Sequence, residues 1–166
     1  DQMRYEGFGP NGTSIIVEAL TDNRNRTASN VRSAFQKFGG SMGETGSVSH
    51  AFNHYGFVRY NKDVTSEEDF FNFSIEGGAE DCFIEEDTYE AVSTPENLSN
   101  LYNYLDKKFG EPVSSGFQWK PITYVAIEGD KLKSLINLLN ELDNDEDVQQ
   151  VFSNFEASDE ELARVA

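Results

Sequence analysis

The apolar positions of the chain change period several times, and each change marks an element. Met3 to Phe8 alternates and predicts a short strand. Gly9-Pro10-Asn11-Gly12 is turn chemistry, and the β-branched run Thr13–Leu20 predicts a buried strand. A polar start signal, Thr21–Thr27, leads into a helix reaching about Phe38. Its apolar residues Val31, Ala34, Phe35 and Phe38 recur at i, i+3, i+4 and i+7, and Gly39-Gly40 stops it. Ser47–Phe52 predicts a third strand, and Tyr55-Gly56 a joint.

A self-contained pattern follows. Phe57–Asn61 predicts a strand. Thr65 or Ser66 caps a helix whose first turn carries Glu67, Glu68 and Asp69, where acids suit the helix dipole. Cys82–Glu85 and Thr88–Val92 form a hairpin. Thr94-Pro95-Glu96 opens a helix with a Leu98, Leu101, Tyr102, Leu105, Phe109 stripe, and Val113–Lys120 is a strand. The order βαββαβ is the ferredoxin-like signature. Ile122–Ile127 then predicts a strand, Asp130 caps a helix with Leu132, Leu135, Ile136, Leu139 and Leu142 inward, and Val148–Phe155 predicts a closing strand. The expected fold class is therefore α+β, built of two α/β-sandwich domains. A ferredoxin-like domain at 56–121 is inserted into a discontinuous α+β domain made of 1–55 and 122–156, and 157–166 is a flexible acidic tail.

Composition narrows the function classes. Leu, Ile, Val and Phe make up 41 of 166 residues, enough for real cores, and no apolar run approaches the roughly 18 residues of a membrane helix. The single cysteine, Cys82, excludes a disulfide framework and a cysteine-based zinc site. The net charge is −17, unevenly spread: residues 1–55 hold five acids and five bases, and residues 56–166 hold the other 25 acids against 8 bases. Such a surface repels phosphate backbones and suits solubility or a basic protein partner, such as a ribosomal protein. The chain opens on Asp1 with strand-like sequence at once and reads as a fragment.

Several motifs carry little chemistry. Gly7–Gly12 spells GxGxxG, but a strand follows it where a nucleotide site needs a helix, so it reads as a glycine-rich hairpin. Asp143–Asp147 has the opening acids of a calcium loop, yet Val148 stands where glycine belongs and Asn154 where glutamate belongs, so a solvated acidic turn is expected. His50 and His54 fall on a strand and turn with no third ligand nearby, and the acidic neighbour Asp81 opposes a thiolate at Cys82. No GxSxG, HExxH or P-loop pattern occurs. No metal or cofactor and no catalysis are expected.

One feature runs against local rules. Arg24 and Arg26 stand at a helix N-terminus, where the dipole disfavours cations. On the wheel centred on Val31, Arg26, Ser29, Asn30, Ser33, Gln36 and Lys37 point outward, with Arg32 on a flank. The candidate anion or nucleic-acid contacts are thus Arg24, Asn25, Arg26, Arg32 and Lys37. Two readings stand side by side: an anion site, or arginines paired with Asp22, Glu18 or Glu44.

The runs YEGFGPNG (Tyr5–Gly12), IIVEALTDNRNRT (Ile15–Thr27), VRSAFQKFGG (Val31–Gly40), GETGSV (Gly43–Val48), GAED (Gly78–Asp81) and DEDVQQVFSNF (Asp145–Phe155) closely resemble the YebC/PmpR family. The resemblance implies a basic helical N-terminal domain, absent here, followed by an α+β domain with a ferredoxin-like insertion. It also implies a non-catalytic regulator of gene expression, cytoplasmic and without membrane contact. Such a regulator acts by DNA binding in transcription or by ribosome association in translation, as a translational activator among its mitochondrial relatives does. Nucleic acid or ribosome would be met mainly through the absent basic domain. The alternative function is a small-molecule-binding regulatory module with a ferredoxin-like sensor domain, by fold analogy.

Overall fold

The computed structural model describes residues 1–166. Its elements in chain order are β1 (Gln2–Phe8), β2 (Ser14–Leu20), α1 (Arg24–Lys37), β3 (Ser41–Met42), β4 (Phe52–Asn61), α2 (Glu67–Glu76), β5 (Asp81–Ile84) and β6 (Thr88–Ser93). There follow α3 (Leu98–Phe109), β7 (Ser114–Pro121), β8 (Val125–Ala126), α4 (Gly129–Asp143), β9 (Val148–Ser153), β10 (Phe155–Glu156) and α5 (Asp159–Val165). The fold class is α+β. The chain divides into two compact units, Asp1–Asn53 with Lys120–Ala166, and His54–Trp119.

The first unit is a four-stranded sheet in the order β3-β1-β2-β9, beside a short parallel pair of β8 and β10. β1 and β2 form an antiparallel hairpin in which Tyr5 faces Val17 and Glu6 faces Ile16. Strand alternation sends Tyr5, Ile15, Val17 and Ala19 into one core with Val31, Ala34 and Phe35 of α1 and Leu132, Leu135, Leu138 and Leu142 of α4. Helix α1 starts where Asn23 accepts a hydrogen bond from Arg26 N–H at 3.0 Å.

Glu6 points to the other face and is 1% exposed. Its carboxylate accepts the backbone N–H of Gly46 at 2.8 Å, Val48 at 3.0 Å and Ser49 at 2.7 Å, with Arg4 Nε at 3.1 Å. Burial alone would raise this carboxyl, but the three amide donors and the guanidinium outweigh it and hold it below the ordinary value. Here the expected strand Ser47–Phe52 is replaced by a 3-10 turn at Ser49–Ala51, because Val48 and Ser49 give their amides to Glu6 instead of to a sheet neighbour. Strand β4 then begins at Phe52 and runs unbroken through the expected joint at Tyr55-Gly56.

The second unit orders its strands β5-β6-β4-β7, the ferredoxin-like arrangement, with α2 and α3 packed on one face. Ser66 caps α2 by accepting Asp69 N–H, and three acids occupy its first turn. The core holds Val58, Tyr60, Phe70, Tyr89, Ala91, Leu101 and Leu105. Its rings meet edge-on or stacked, Phe70 against Tyr89 at 5.0 Å and Tyr60 against Phe109 at 5.6 Å. Tyr60 donates to Gly110 carbonyl at 2.8 Å, and burial pushes its hydroxyl up to about 12.

Three further expectations change. Of Ile122–Ile127 only Val125–Ala126 is strand, paired with β10. The final strand is broken at Asn154, whose side chain turns inward to accept Ser14 N–H at 2.8 Å. The expected flexible tail at 157–166 is instead the helix α5: Ser158 caps it, Asp159, Glu160 and Glu161 suit its first turn, and Leu162 and Val165 pack on the first core. Helix α4 also begins two residues early, with Glu128 in the cap position instead of Asp130.

Replacing Glu6 with alanine strands three amide donors and is expected to cost about 3 kcal/mol in urea unfolding. Because the folded carboxyl lies below its unfolded value, its contribution is full above the ordinary carboxylate range and is lost as pH falls through the folded value. Glu6→Gln is therefore expected to flatten the acid limb of a stability–pH profile. Leu162→Ala is expected to cost about 1 kcal/mol and to reduce far-UV helical signal; no change in either would return 157–166 to a free tail.

Candidate functional site

The candidate residues lie along α1, and the structure places each of them. Arg24 is exposed and its Nε donates to Asp1 at 3.1 Å. Asn25 and Arg32 are exposed and make no ion pair or side-chain hydrogen bond within the chain. Lys37 lies at the last turn, with Nζ 2.9 Å from Glu141 Oε1 and 5.2 Å from the Phe38 ring centre.

Arg26 is the most engaged. Its guanidinium donates to Asp22 Oδ1 at 2.9 Å and to both oxygens of Asp147, at 2.9 Å and 3.0 Å from Nη2 and 3.2 Å from Nε. Asp22 was among the partners expected for the arginines, whereas Glu18 and Glu44 pair with neither Arg24 nor Arg26. Asp147 comes from the acidic turn after α4, 121 residues away, and its side chain is only 13% exposed. It also accepts the Thr27 hydroxyl at 2.8 Å, while its own N–H donates to Asp145 Oδ1 at 2.9 Å. The Thr27 hydrogen bond first, then the Arg26 guanidinium, hold the Asp147 carboxyl below the ordinary carboxylate range against the opposing effect of its burial. Asp147 and Asp22 in turn push the Arg26 guanidinium up.

The helix start is thus a clamp between α1 and the Asp143–Asp147 turn. The cleft beside it is lined by Asp1, Asp22, Asp145, Glu146 and Asp147 around Arg26. Five carboxylates around one already-paired guanidinium give a field that repels a phosphate and attracts a cation. The dipole conflict read from the sequence is answered here, because two aspartates neutralise the arginine that the helix start disfavours.

The remaining motifs resolve as packing. Gly7–Gly12 belongs to the β1–β2 hairpin. A Cβ on Gly7 would lie 2.6 Å from Ser41 carbonyl oxygen, and one on Gly40 would lie 2.3 Å from that of Phe8, so these glycines allow chain segments to touch rather than cradle a ligand. Asn11 adopts φ 62° and its amide donates to Ala126 carbonyl at 3.0 Å. His50 lies in the 3-10 turn, and His54 stacks on Trp119 at 4.1 Å with 5° between the rings. No group of three or more His, Cys, Asp or Glu side chains is placed to hold a metal. Burial, before its acidic neighbour Asp81, pushes the Cys82 thiol up. No helix is long and apolar enough to cross a membrane.

Sequence reasoning missed Asp147 and Glu6 as anchors. The signal for Glu6 lay in the GETGSV run and the serine after it, since the Gly46, Val48 and Ser49 amides converge on it; for Asp147 no local signal exists, since its side-chain partners are in another element. The clamp makes a testable claim. Asp147→Ala is expected to lower the melting temperature more than Arg26→Ala, because it also removes the contact of the Thr27 hydroxyl with the turn. The double variant should be less destabilised than the two single effects combined. The Asp147 contribution is full above the ordinary carboxylate range and is lost as pH falls through its depressed value, so Asp147→Asn should flatten the acid limb of the profile. Additive effects and an unchanged acid limb would refute the clamp.

Residues 1–155 match the family model described as TACO1/YebC second and third domain. The fold is similar to the crystal structure of a conserved hypothetical protein from Aquifex aeolicus, with a TM-score of 0.84 and 38% identity, over 96% of this chain. The chain spans 66% of that protein's length. With a family model matched along residues 1–155 and a similar fold in a 38% identical structure, this chain belongs to the TACO1/YebC family.

Proposed function

We propose that this chain is the non-catalytic body of a regulator of gene expression that works by associating with ribosomes, meeting protein rather than nucleic acid with its own surface. One observation carries this reading. Three of the four cations expected to touch a polyanion, Arg24, Arg26 and Lys37, are each paired with a carboxylate of the same unit, in a chain of net charge −17. Paired cations release few counterions on meeting a phosphate backbone, and the surrounding acids oppose approach to it. Arg32 and Asn25, exposed and unpaired, are where residual anion contact would arise. Basic ribosomal proteins offer the complementary charge.

Two measurements made on one preparation separate the readings. In gel shifts at physiological salt, the chain is expected to bind duplex DNA more weakly than about 10⁻⁴ M, the weak end of non-specific binding. In sucrose gradients it is expected to travel with ribosomes. A DNA shift at low micromolar protein, with no ribosome co-sedimentation, would overturn the proposal in favour of transcriptional control by direct DNA contact. In that case each cation removed among Arg24, Arg26 and Lys37 should lower the salt slope by roughly 0.7–0.9.

A further inference from the structure

The inserted unit carries a strand edge and an apolar groove side by side. Strand β5 ends the order β5-β6-β4-β7 and pairs with β6 alone. Its Cys82 N–H turns away from β6 and is taken up by the side chain of the preceding residue, Asp81 Oδ1, at 2.8 Å. With Glu85 N–H donating to Thr88 carbonyl, the alternation of an antiparallel ladder leaves the backbone of Ile84, like that of Cys82, facing outward. Between this edge and α2 lies a cleft of about 420 Å³ lined by Phe71, Cys82, Ile84, Glu67 and Glu68. Phe71 is 47% exposed and Ile84 42%. Ile75, one helical turn beyond Phe71, is 43% exposed and extends the apolar stripe of α2 toward solvent. Phe70 takes the core position of that helix at 0% exposed, so Phe71 is spare.

Charge says what fits there. Between Lys62 and Lys107 the sequence has no Lys, Arg or His and 13 Asp or Glu. Glu67 and Glu68 line the cleft, and Asp81, Glu85, Glu86 and Asp87 lie along the strand and its turn. A nucleic acid would be repelled. A second copy pairing edge to edge would bring two acidic rims together.

We propose that this edge and groove form a docking site for an extended basic segment of a partner protein, which adds as a strand beside β5. Its backbone pairs with Cys82 and Ile84. Every second side chain, apolar, enters the cleft over Phe71 and Ile84, and its lysines or arginines meet the carboxylate rim. Strand addition to an exposed edge beside a helix is an established mode of peptide recognition, in which main-chain bonds give affinity and alternate side chains give selectivity. The Asp81–Cys82 contact guards the edge in the free chain, as charged residues commonly do at sheet edges. A partner carbonyl displaces Asp81 from the N–H, and a partner cation takes the released carboxylate.

This names the kind of partner for the protein-facing role proposed above and rests on that reading. The probe is a fluorescein-labelled peptide alternating lysine and valine, titrated into the 166-residue chain and read by anisotropy. Saturable binding with a dissociation constant of about 10–100 µM is expected, weakening as salt rises. Phe71→Ser alters an exposed residue and Ile84→Pro removes an outward N–H that the sheet does not use, so both are expected to keep the native circular dichroism. Each is expected to weaken the peptide about tenfold or more, as is a proline placed at the centre of the peptide. No saturable binding, or equal binding by both variants and by the proline peptide, would mean charge adsorption only and overturn the site. A concentration-dependent dimer in sedimentation velocity that Ile84→Pro abolishes would assign the edge to a second copy and overturn it too. Failure of the peptide with ribosome co-sedimentation intact refutes the strand site alone. Peptide binding without co-sedimentation refutes the ribosome reading alone.

Discussion

A carboxylate that water cannot reach must be surrounded by donors, and Glu6 imposes that constraint on the first unit. It stands on β1, a central strand, and is 1% exposed. Three amide donors between Gly46 and Ser49 converge on it, and Gly43 N–H adds a bond to its backbone carbonyl at 2.8 Å. The loop between β3 and β4 therefore has one shape, set by where its N–H groups must point. That shape decides that Val48 is fully buried and that β4 starts at Phe52. An apolar residue at position 6 would leave this loop with amides that have no acceptor.

The inserted unit solves a related problem with different groups. Glu90 lies on β6 among Tyr89, Ala91 and Val92 and is 1% exposed. Arg59, its register partner on β4, donates to its Oε2, and Gln118 donates to Oε1 at 2.8 Å. Arg59 is itself steadied by Ser114 at 3.1 Å and lies over the Phe57 ring at 4.8 Å. Each unit thus has an aromatic and aliphatic core on its helical side and a buried carboxylate on the other face of its sheet. Buried charges of this kind add little net stability against an apolar replacement, but they penalise every register in which the donors are misplaced.

Charge also sorts the surface by function. In the first unit Arg24, Arg26 and Lys37 are held by neighbouring acids, most tightly at Arg26, so the basic helix start is a structural joint between α1 and the turn after α4. In the inserted unit the acids have few cations to meet, and the apolar cleft beside β5 lies among them. The two surfaces differ in what they have left over: the first, of net charge −7, sets nine cations against its acids, while the second, of net charge −10, has four and also carries the exposed Phe71 and Ile84.

Periodicity alone determined most of the elements, because amphipathic helices and alternating strands write their buried faces into local spacing. The Val31, Ala34, Phe35 stripe, a cap at Thr65 or Ser66, the Leu-rich α4 and the βαββαβ order were all legible there. Local spacing failed where a partner distant in the chain supplied the competing bond. Ser47–Phe52 has strand composition, yet Glu6 claims its amides. Val148–Phe155 looks continuous, yet Asn154 turns inward to Ser14. The acidic 157–166 looks solvated, yet Leu162 and Val165 find an apolar surface that only the folded sheet and α4 create. The candidate site divides the same way. The sequence identified Arg24 and Arg26 as cations in an unfavourable place, but the meaning of Arg26 depended on Asp147, brought 121 residues along the chain to within 2.9 Å by the pairing of β2 with β9. A charge can be read from one residue; whether it is spent on the protein or left for a ligand is decided by which other charges the fold brings beside it.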